Sequence, residues 1–223
     1  MNMNPLLNSI PYGWRLAAAA LLLTLIVGCE VLRPAVSVHP KFYALSATRH
    51  ATTAAPSAQR AALTGPTLIV SPPHAAAGFD SQHIMYLRQA DQLEYFAHNE
   101  WIDTPARMLA PLIVTAVESS GAFRAVVRTP SVATGEIRLD TEILRLQHEF
   151  LSTPSRVRFT LRAYVVDSVT RRVIATREFD SAVPAASEDP YGGVVAANVA
   201  VRTVLESLSR FCAEALNNMP TGK

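Results

Sequence analysis

Alternating hydrophobic and polar positions mark two long strands in the second half of the chain. The inward positions share one face of each strand: Ile137, Leu139, Thr141 and Ile143 in one, and Val157, Phe159, Leu161, Ala163 and Val165 in the other. Asp167 to Thr170 predicts a turn, after which Val173 to Phe179 returns as a partner strand. Alternation over this length is typical of a sheet that buries one face.

Shorter apolar runs predict further strands before and between these elements. They are Phe42–Leu45, Thr67–Val70, Ile84–Leu87, Leu93–Phe96 and Phe123–Arg128. Residues 88–92 lie between two of these runs and suit a hairpin turn. The order of elements therefore begins with strands, and a helical period interrupts it only after residue 103.

Two segments show the period of an amphipathic helix. The first has Thr104 as its N-cap and Pro105 at the first helical position, and it places Pro111 inside the helix, where a kink is expected. Gly121 predicts a left-handed residue after this helix. The second helix is expected from about Val194 to Leu216. Its predicted inner stripe is Val194, Val195, Asn198, Val201, Leu205, Leu208, Cys212 and Ala215.

This order of strands and helices predicts an α+β fold: a single twisted, mostly antiparallel sheet with two helices packed on one face. With 49% hydrophobic residues, the chain can bury one substantial core. We expect the globular body to span residues 67–217, with residues 29–66 forming a tether, a short strand and a loop, and residues 218–223 forming a C-terminal tail.

The first residues resemble a bacterial lipoprotein signal peptide over residues 1–28. Arg15 precedes an apolar run from Leu16 to Val27, which is shorter than the roughly 20 residues needed to span a bilayer. Residues 26–29 (Ile-Val-Gly-Cys) resemble a lipobox, which predicts lipidation of Cys29. The alternative is an uncleaved anchor helix with an incidental cysteine.

Glu30 follows the predicted lipid site, where lipoproteins retained in the inner membrane carry Asp as their strongest signal. This favours an outer-membrane lipid anchor facing the periplasm, with the inner membrane as the alternative. Lipidation of Cys29 would leave Cys212 without a disulfide partner, so we expect Cys212 to be a core residue. The net charge of +2, with no continuous basic run, argues against a nucleic-acid partner.

No arrangement of polar residues points clearly to catalysis or to a cofactor. The six histidines lack metal-ligand spacing and are expected at the surface. Asp91, Glu94, Glu100 and Asp103 cluster in sequence, but a hairpin and a helix start explain them without acid–base chemistry. Gly192 and Gly193 precede the last helix, where a flexible hinge is favoured over an anion site. We therefore expect no enzymatic activity, no metal and no cofactor.

Two features suggest a partner contact. Arg156, Arg158 and Arg162 share the outer face of one strand, with Arg171, Arg172 and Arg177 on its hairpin partner. A solvated sheet face explains them, and the alternative is contact with anionic headgroups or an acidic partner. Trp101 precedes the first helix, where a core position is favoured over an exposed anchor for a partner.

Several segments together resemble the ABC-type transport auxiliary lipoproteins, a family that includes paraquat-inducible protein C. They are Phe42–Leu45 soon after the lipobox, and the stretch from Tyr95 through Trp101 and Pro105 to Gly121 and Phe123. The resemblance covers nearly the whole mature chain. The strand–Trp–Pro–helix–Gly–Phe block carries most of its weight.

The resemblance implies an accessory subunit of an Mce-type ABC transport system that moves phospholipids or other hydrophobic molecules across the envelope. It implies an Mce-domain protein as partner and a membrane contact through the lipid on Cys29. Homo-oligomerisation is a further hypothesis, since an open sheet edge would favour it. The alternative functions are a periplasmic carrier that holds one lipid in an apolar pocket and an envelope hydrolase.

Overall fold

The computed structural model describes Gly13 and residues 39–46 and 65–217. The sheet and the two helices packed on it belong to a unit that starts at Pro40. The strands are β1 (Lys41–Tyr43), β2 (Thr67–Val70), β3 (His74–Ala75), β4 (His83–Gln89), β5 (Gln92–Trp101), β6 (Ala125–Arg128), β7 (Ile137–Glu149), β8 (Arg156–Asp167) and β9 (Val173–Pro184). The helices are α1 (Pro105–Glu118) and α2 (Pro190–Asn217).

Strand β7 organises the sheet because both of its edges are used along its length. On one edge it pairs antiparallel with β8, and β8 pairs antiparallel with β9. On the other edge three short strands follow one another, all parallel to β7: first β2, then β3, then β4. The sheet is therefore mixed, and its long ladders are antiparallel, as the alternation predicted.

Three more strands extend the sheet beyond the short ones. β6 lies parallel to β2, β5 lies antiparallel to β4, and β1 lies parallel to β5 as an outer strand. The β4–β5 turn is tighter than predicted, because it uses only Ala90 and Asp91, with Asp91 at φ 65°. Asp tolerates this left-handed backbone better than most residues. β1, which the sequence assigned to the tether segment, is thus a strand of the sheet.

The two helices pack on one face of the sheet and share a single core with it, which confirms the predicted α+β architecture. α1 buries Leu109, Ile113 and Val117, while α2 buries residues such as Leu205 and Leu208. α1 begins at Pro105 as predicted and is continuous through Pro111, although the proline lacks a backbone donor. Gly121 has φ 65°, as expected for the left-handed residue after the helix.

One detail of the predicted faces is wrong, and a bulge changes the inward positions of β7 beyond the residues that were predicted. Val195 was placed on the inner stripe of the second helix but is 41% exposed, because it lies about 100° around the helix from buried Val194. In β7, a register shift between Ile143 and Arg145 inserts an extra residue. The bulge reverses the alternation, so that Leu146 and His148 face the core in the second half of the strand.

Candidate functional site

β1 joins the block around Trp101, so the two segments that carry the family resemblance meet in space. Phe42 and Tyr43 pair with Glu100 and Trp101 in parallel register. The Ile102 amide donates a hydrogen bond to the Tyr43 carbonyl at 2.7 Å. The end of the N-terminal segment is therefore fixed to the start of α1.

The residues after β1 are also fixed to both helices. Leu45 is buried in the core, and its amide lies 3.5 Å from Met108 Sδ on α1. The Ser46 amide donates to Asn198 Oδ1 on α2 at 2.6 Å, and Asn198 Nδ2 donates to the Ala44 carbonyl at 3.4 Å. The segment that leads back towards Cys29 is consequently docked on the body from Lys41 to Ser46.

Trp101 is 2% exposed, which confirms its predicted place in the core and removes it from the accessible surface. Two of the four acidic residues that cluster in this part of the sequence have structural partners. Asp103 pairs with Arg107 across one helical turn at 3.1 Å and accepts from the Thr104 amide at 2.8 Å. Glu94 accepts from the Tyr86 hydroxyl at 2.7 Å, which raises the pKa of Tyr86. These contacts give Asp103 and Glu94 structural roles.

A buried polar centre joins the β7–β8 connection to the start of α2, and the sequence did not predict it. His148 is 2% exposed, so its expected surface position is wrong. Its Nε2 lies 2.8 Å from Ser155 Oγ in a hydrogen bond whose direction depends on the tautomer. The Ser155 amide donates to Glu188 Oε1 at 2.9 Å. His148 Nδ1 faces Gly193 and has no hydrogen-bond partner among the described residues.

This centre is closed to substrate although it combines a serine, a histidine and a carboxylate. Ser155 is fully buried, and the His148 ring packs against Phe150 with ring centroids 4.1 Å apart. Burial lowers the pKa of His148. The nearby charges of Glu188 and Asp189 act to raise it, but their effect is smaller. The hydrogen bonds from Ser155 lower the pKa of Glu188. Burial therefore disfavours the charged form of the imidazole, and the ring packs between the β7–β8 connection and the start of α2.

Gly192 and Gly193 have a packing role instead of the predicted hinge role. Both are buried in the first turn of α2, where Asp189 accepts from the Gly192 amide at 2.7 Å. A Cβ on Gly193 would lie 2.5 Å from His148 Nδ1. The glycine therefore allows the helix to approach the imidazole closely.

Three of the six predicted arginines, those of β8, form the expected face, and carboxylates neutralise their charges in place. Arg171 and Arg172 lie in the β8–β9 turn and not on the partner strand. Arg158 contacts Glu149 at 3.0 Å and Asp180 at 2.5 Å, and Arg162 contacts Glu178 at 3.0 Å and Glu142 at 3.5 Å. Carboxylates from β7 and β9 thus flank the arginines of β8 on both sides. Arg156 also lies near Glu149, at 3.9 Å.

Because of these pairs, the geometry favours the solvated sheet face over an anion-binding surface, and a partner contact at Arg156, Arg158 and Arg162 stays a prediction. Arg177 does not belong to this face. It pairs with Glu214 at 3.2 Å and lies over the Phe211 ring at 4.7 Å, both on α2. Its position in β9 is opposite Ala163, whose side chain faces the helices.

In the described part of the chain, side chains pack closely in the space between the sheet and the helices. A cavity beside Trp101, His148 and Gly193 has a volume of about 10 Å³, which is about the minimum for one water molecule and excludes an acyl chain. A larger depression of about 390 Å³ is open to solvent beside Leu87, Leu93 and Leu151. This geometry does not resemble the enclosed pocket that a lipid carrier needs.

Cys212 is fully buried, and burial raises its pKa to about 12, so it is the core residue that the sequence predicted. Cys29, its lipobox and Glu30 lie outside the described residues. Within residues 39–46 and 65–217, no group of His, Cys, Asp or Glu side chains is arranged to hold a metal ion. In the same part of the chain, no helix has the length and hydropathy needed to cross a membrane.

Residues 43–209 match the family described as the ABC-type transport auxiliary lipoprotein component. Among solved structures, the chain is similar to protein XCC0632 from Xanthomonas campestris, with a TM-score of 0.68 and 24% identity over 78% of this chain and 95% of that one. Protein CT253 from Chlamydia trachomatis has a TM-score of 0.50 and 9% identity over 69% and 98% of the two chains. The curated proteins give no match.

Proposed function

The chain belongs to the ABC-type transport auxiliary lipoprotein family, and on this basis we propose that it is the non-enzymatic lipoprotein subunit of an Mce-type ABC transport system. Such a system moves phospholipids or other hydrophobic molecules across the cell envelope. The family match supports this proposal most directly. It spans the sheet from the end of β1 and most of α2, including the block from Tyr95 to Phe123 that first suggested the family.

In this proposal Cys29 carries the lipid and the body faces the periplasm from the outer membrane. Two or more acyl chains would hold the protein at the membrane, since each buried methylene contributes about 0.8 kcal/mol. Glu30, in place of an inner-membrane retention Asp, supports the outer-membrane assignment.

A docking role fits the body better than a carrier role. Its interior is occupied by fully buried side chains such as Phe159, Leu161 and Leu208, which leave no room for a bound lipid among them. The buried Ser155 and His148 likewise offer no accessible nucleophile. We therefore infer that the body acts through its surface, with the Mce-domain protein as its partner.

Co-purification with a tagged Mce-domain protein of the same cell tests this function. The wild-type chain should co-purify with it, and deletion of the gene should lower detergent resistance. Cys29→Ser should leave the membrane fraction and fail to restore resistance, because it removes the thiol that carries the lipid.

Cys212→Ala is the matched control, since it removes the other thiol without touching the proposed lipid site. It should behave as wild type in both measurements. If the wild-type chain associates with no Mce-domain protein of the cell and its deletion leaves detergent resistance unchanged, the proposed function is wrong.

A further inference from the structure

Large apolar side chains are exposed around β1, the strand at which the chain from Cys29 enters the body. Phe42 is 53% exposed, Tyr95 is 54%, Ile102 is 55% and Tyr191 is 63%. Together these four residues form the β1 rim. They come from β1, β5, the loop before α1 and the first turn of α2, so the fold brings them together from distant parts of the sequence.

One side of the β1 rim is continuous across three strands. Phe42 pairs with Glu100 of β5, and Glu100 pairs with His83 of β4. The Tyr95 ring stacks on the His83 ring with their centroids 4.2 Å apart. Phe42 and Tyr95 are therefore the two ends of one short row on the sheet face that carries no helix.

The other side of the β1 rim is built on Tyr43. The Ile102 amide donates to the Tyr43 carbonyl at 2.7 Å, and the Tyr191 ring lies 6.5 Å from the Tyr43 ring. The β1 rim therefore has residues on both sides of the outer strand β1.

The residues of the β1 rim are not part of the hydrophobic core. The core is formed by other residues, and β1 is already held by its pairing with β5, by buried Leu45 and by the hydrogen bonds to Asn198. An exposed apolar patch to which several elements contribute is typical of a surface that binds a protein or a membrane.

We propose that the β1 rim rests on the membrane that holds the lipid of Cys29, a proposal that depends on the anchoring in the proposed function. Lys41 follows Cys29 by twelve positions, so the connecting segment reaches at most about 40 Å when fully extended. This is close to the diameter expected for a body of this size, and the segment ends at β1. The tether therefore keeps the rim within about 40 Å of the lipid on Cys29, and the rim surrounds the point at which the chain enters the body.

The chemistry of the rim suits the interface between headgroups and acyl chains. Tyr95 and Tyr191 combine an apolar ring with a hydroxyl, which is the pattern of aromatic belts at membrane surfaces. Lys41 is exposed beside Phe42, where its stem can follow the apolar surface while the ammonium reaches lipid phosphates. Contact of the rim would fix the orientation of the body, which the lipid on Cys29 alone would not do.

A tryptophan reporter at Phe42 tests this contact. Phe42→Trp and the control Val169→Trp would be purified from bacterial membranes and placed in phosphatidylcholine–phosphatidylglycerol vesicles with brominated acyl chains. Val169 is 85% exposed in the β8–β9 turn, away from β1. Native Trp101 is buried and contributes the same background to both variants. We expect brominated lipid to quench the added fluorescence of Phe42→Trp at least about twofold more than that of Val169→Trp.

Equal quenching of the two reporters would overturn the proposal. So would a Phe42→Trp emission that is protected from aqueous iodide but untouched by brominated lipid, because a second copy or a protein partner would then cover the rim. Tyr95→Trp provides a second reporter if Phe42→Trp does not fold. Mass spectrometry of Cys29 in the same samples reports separately on the anchor, so a failed rim contact is distinguishable from a failed lipoprotein assignment.

Discussion

The β7–β8 strand pair and its connection have two faces. Polar side chains are buried among apolar residues on one face, and they form surface ion pairs on the other. On the face covered by the helices, His148 and Ser155 are buried among apolar residues and depend on a few specific contacts. On the open face, Arg158 and Arg162 each have two carboxylates within 3.5 Å.

The comparison shows that charge alone does not identify a docking surface. The open face has many charges, yet each arginine finds its counter-ions on neighbouring strands. The β1 rim has few charges, and its apolar groups have no such internal partners. Substitutions on the covered face should therefore change the free energy of unfolding more than substitutions on the open face.

The largest effect is expected at Gly193, where the covered face meets α2. In Gly193→Ala the new Cβ would lie 2.5 Å from His148 Nδ1, and the imidazole is confined by Phe150 on its other side. Overpacking of this kind typically costs about 1–3 kcal/mol, against which alanine gains roughly 1 kcal/mol over glycine in a helix. We expect a net loss of up to about 2 kcal/mol in the free energy of unfolding, measured by denaturant titration.

Val195→Ala is the control, since it lies two residues along the same helix and is 41% exposed. It should change stability by less than Gly193→Ala. If Gly193→Ala is as stable as wild type, the close approach of helix and imidazole is not a constraint on the fold.

The sequence predicted the architecture because the long strands and both helices have clear periods. The same periods could not locate the buried polar centre. The bulge after Ile143 adds one residue to β7, so extrapolating the alternation would place His148 on the open face. Ser155 and Glu188 are 33 positions apart, and only the folded chain brings them to the same histidine.

Pairing between distant strands was equally hidden in the sequence. β1 joins β5, and the parallel alignment of β2, β3 and β4 along β7 has no local signature, because hydrophobic runs do not specify their neighbours. The arginines illustrate the same limit. Their face was predicted for Arg158 and Arg162, but their neutralisation depends on carboxylates contributed by β7 and β9.

The second largest effect is expected from acidification, which should destabilise the covered face. Because the pKa of His148 is lowered on folding from an ordinary value of 6.5, the unfolded chain binds its proton more readily than the folded chain. The stability that this histidine contributes is complete above about pH 6.5 and falls as the pH drops below that value. Chemical denaturation between pH 7.5 and 5.5 should therefore give a decreasing free energy of unfolding, with a smaller loss than Gly193→Ala.

His148→Gln is the matched variant for the pH measurement, since it cannot titrate but keeps a polar group near Ser155. Its stability should depend less on pH in this window. Glu188 titrates in a lower range, because its pKa is lowered from 4.5, so it does not contribute between pH 7.5 and 5.5. An identical slope for wild type and His148→Gln would show that another group causes the loss.

The smallest effects are expected on the open face, where two arginines of one strand provide an internal comparison. Arg158 is the more enclosed, and its partner Glu149 has a side chain only 9% exposed. Arg158→Met keeps the aliphatic stem but leaves that carboxylate without its closest cation, which should cost about 1 kcal/mol. Arg162→Met should leave stability unchanged within error, because both of its carboxylate partners are more than a third exposed and surface pairs contribute little.

Thermal unfolding at low and high salt separates the two arginines further. The effect of Arg158→Met should persist at 1 M salt, since screening acts mainly on exposed charges, whereas any small effect of Arg162→Met should disappear. Equal losses from the two substitutions would mean that burial of Glu149 does not set their difference. The ion pairs of the open face would then contribute equally to stability, and only the covered face would contain residues of special sensitivity.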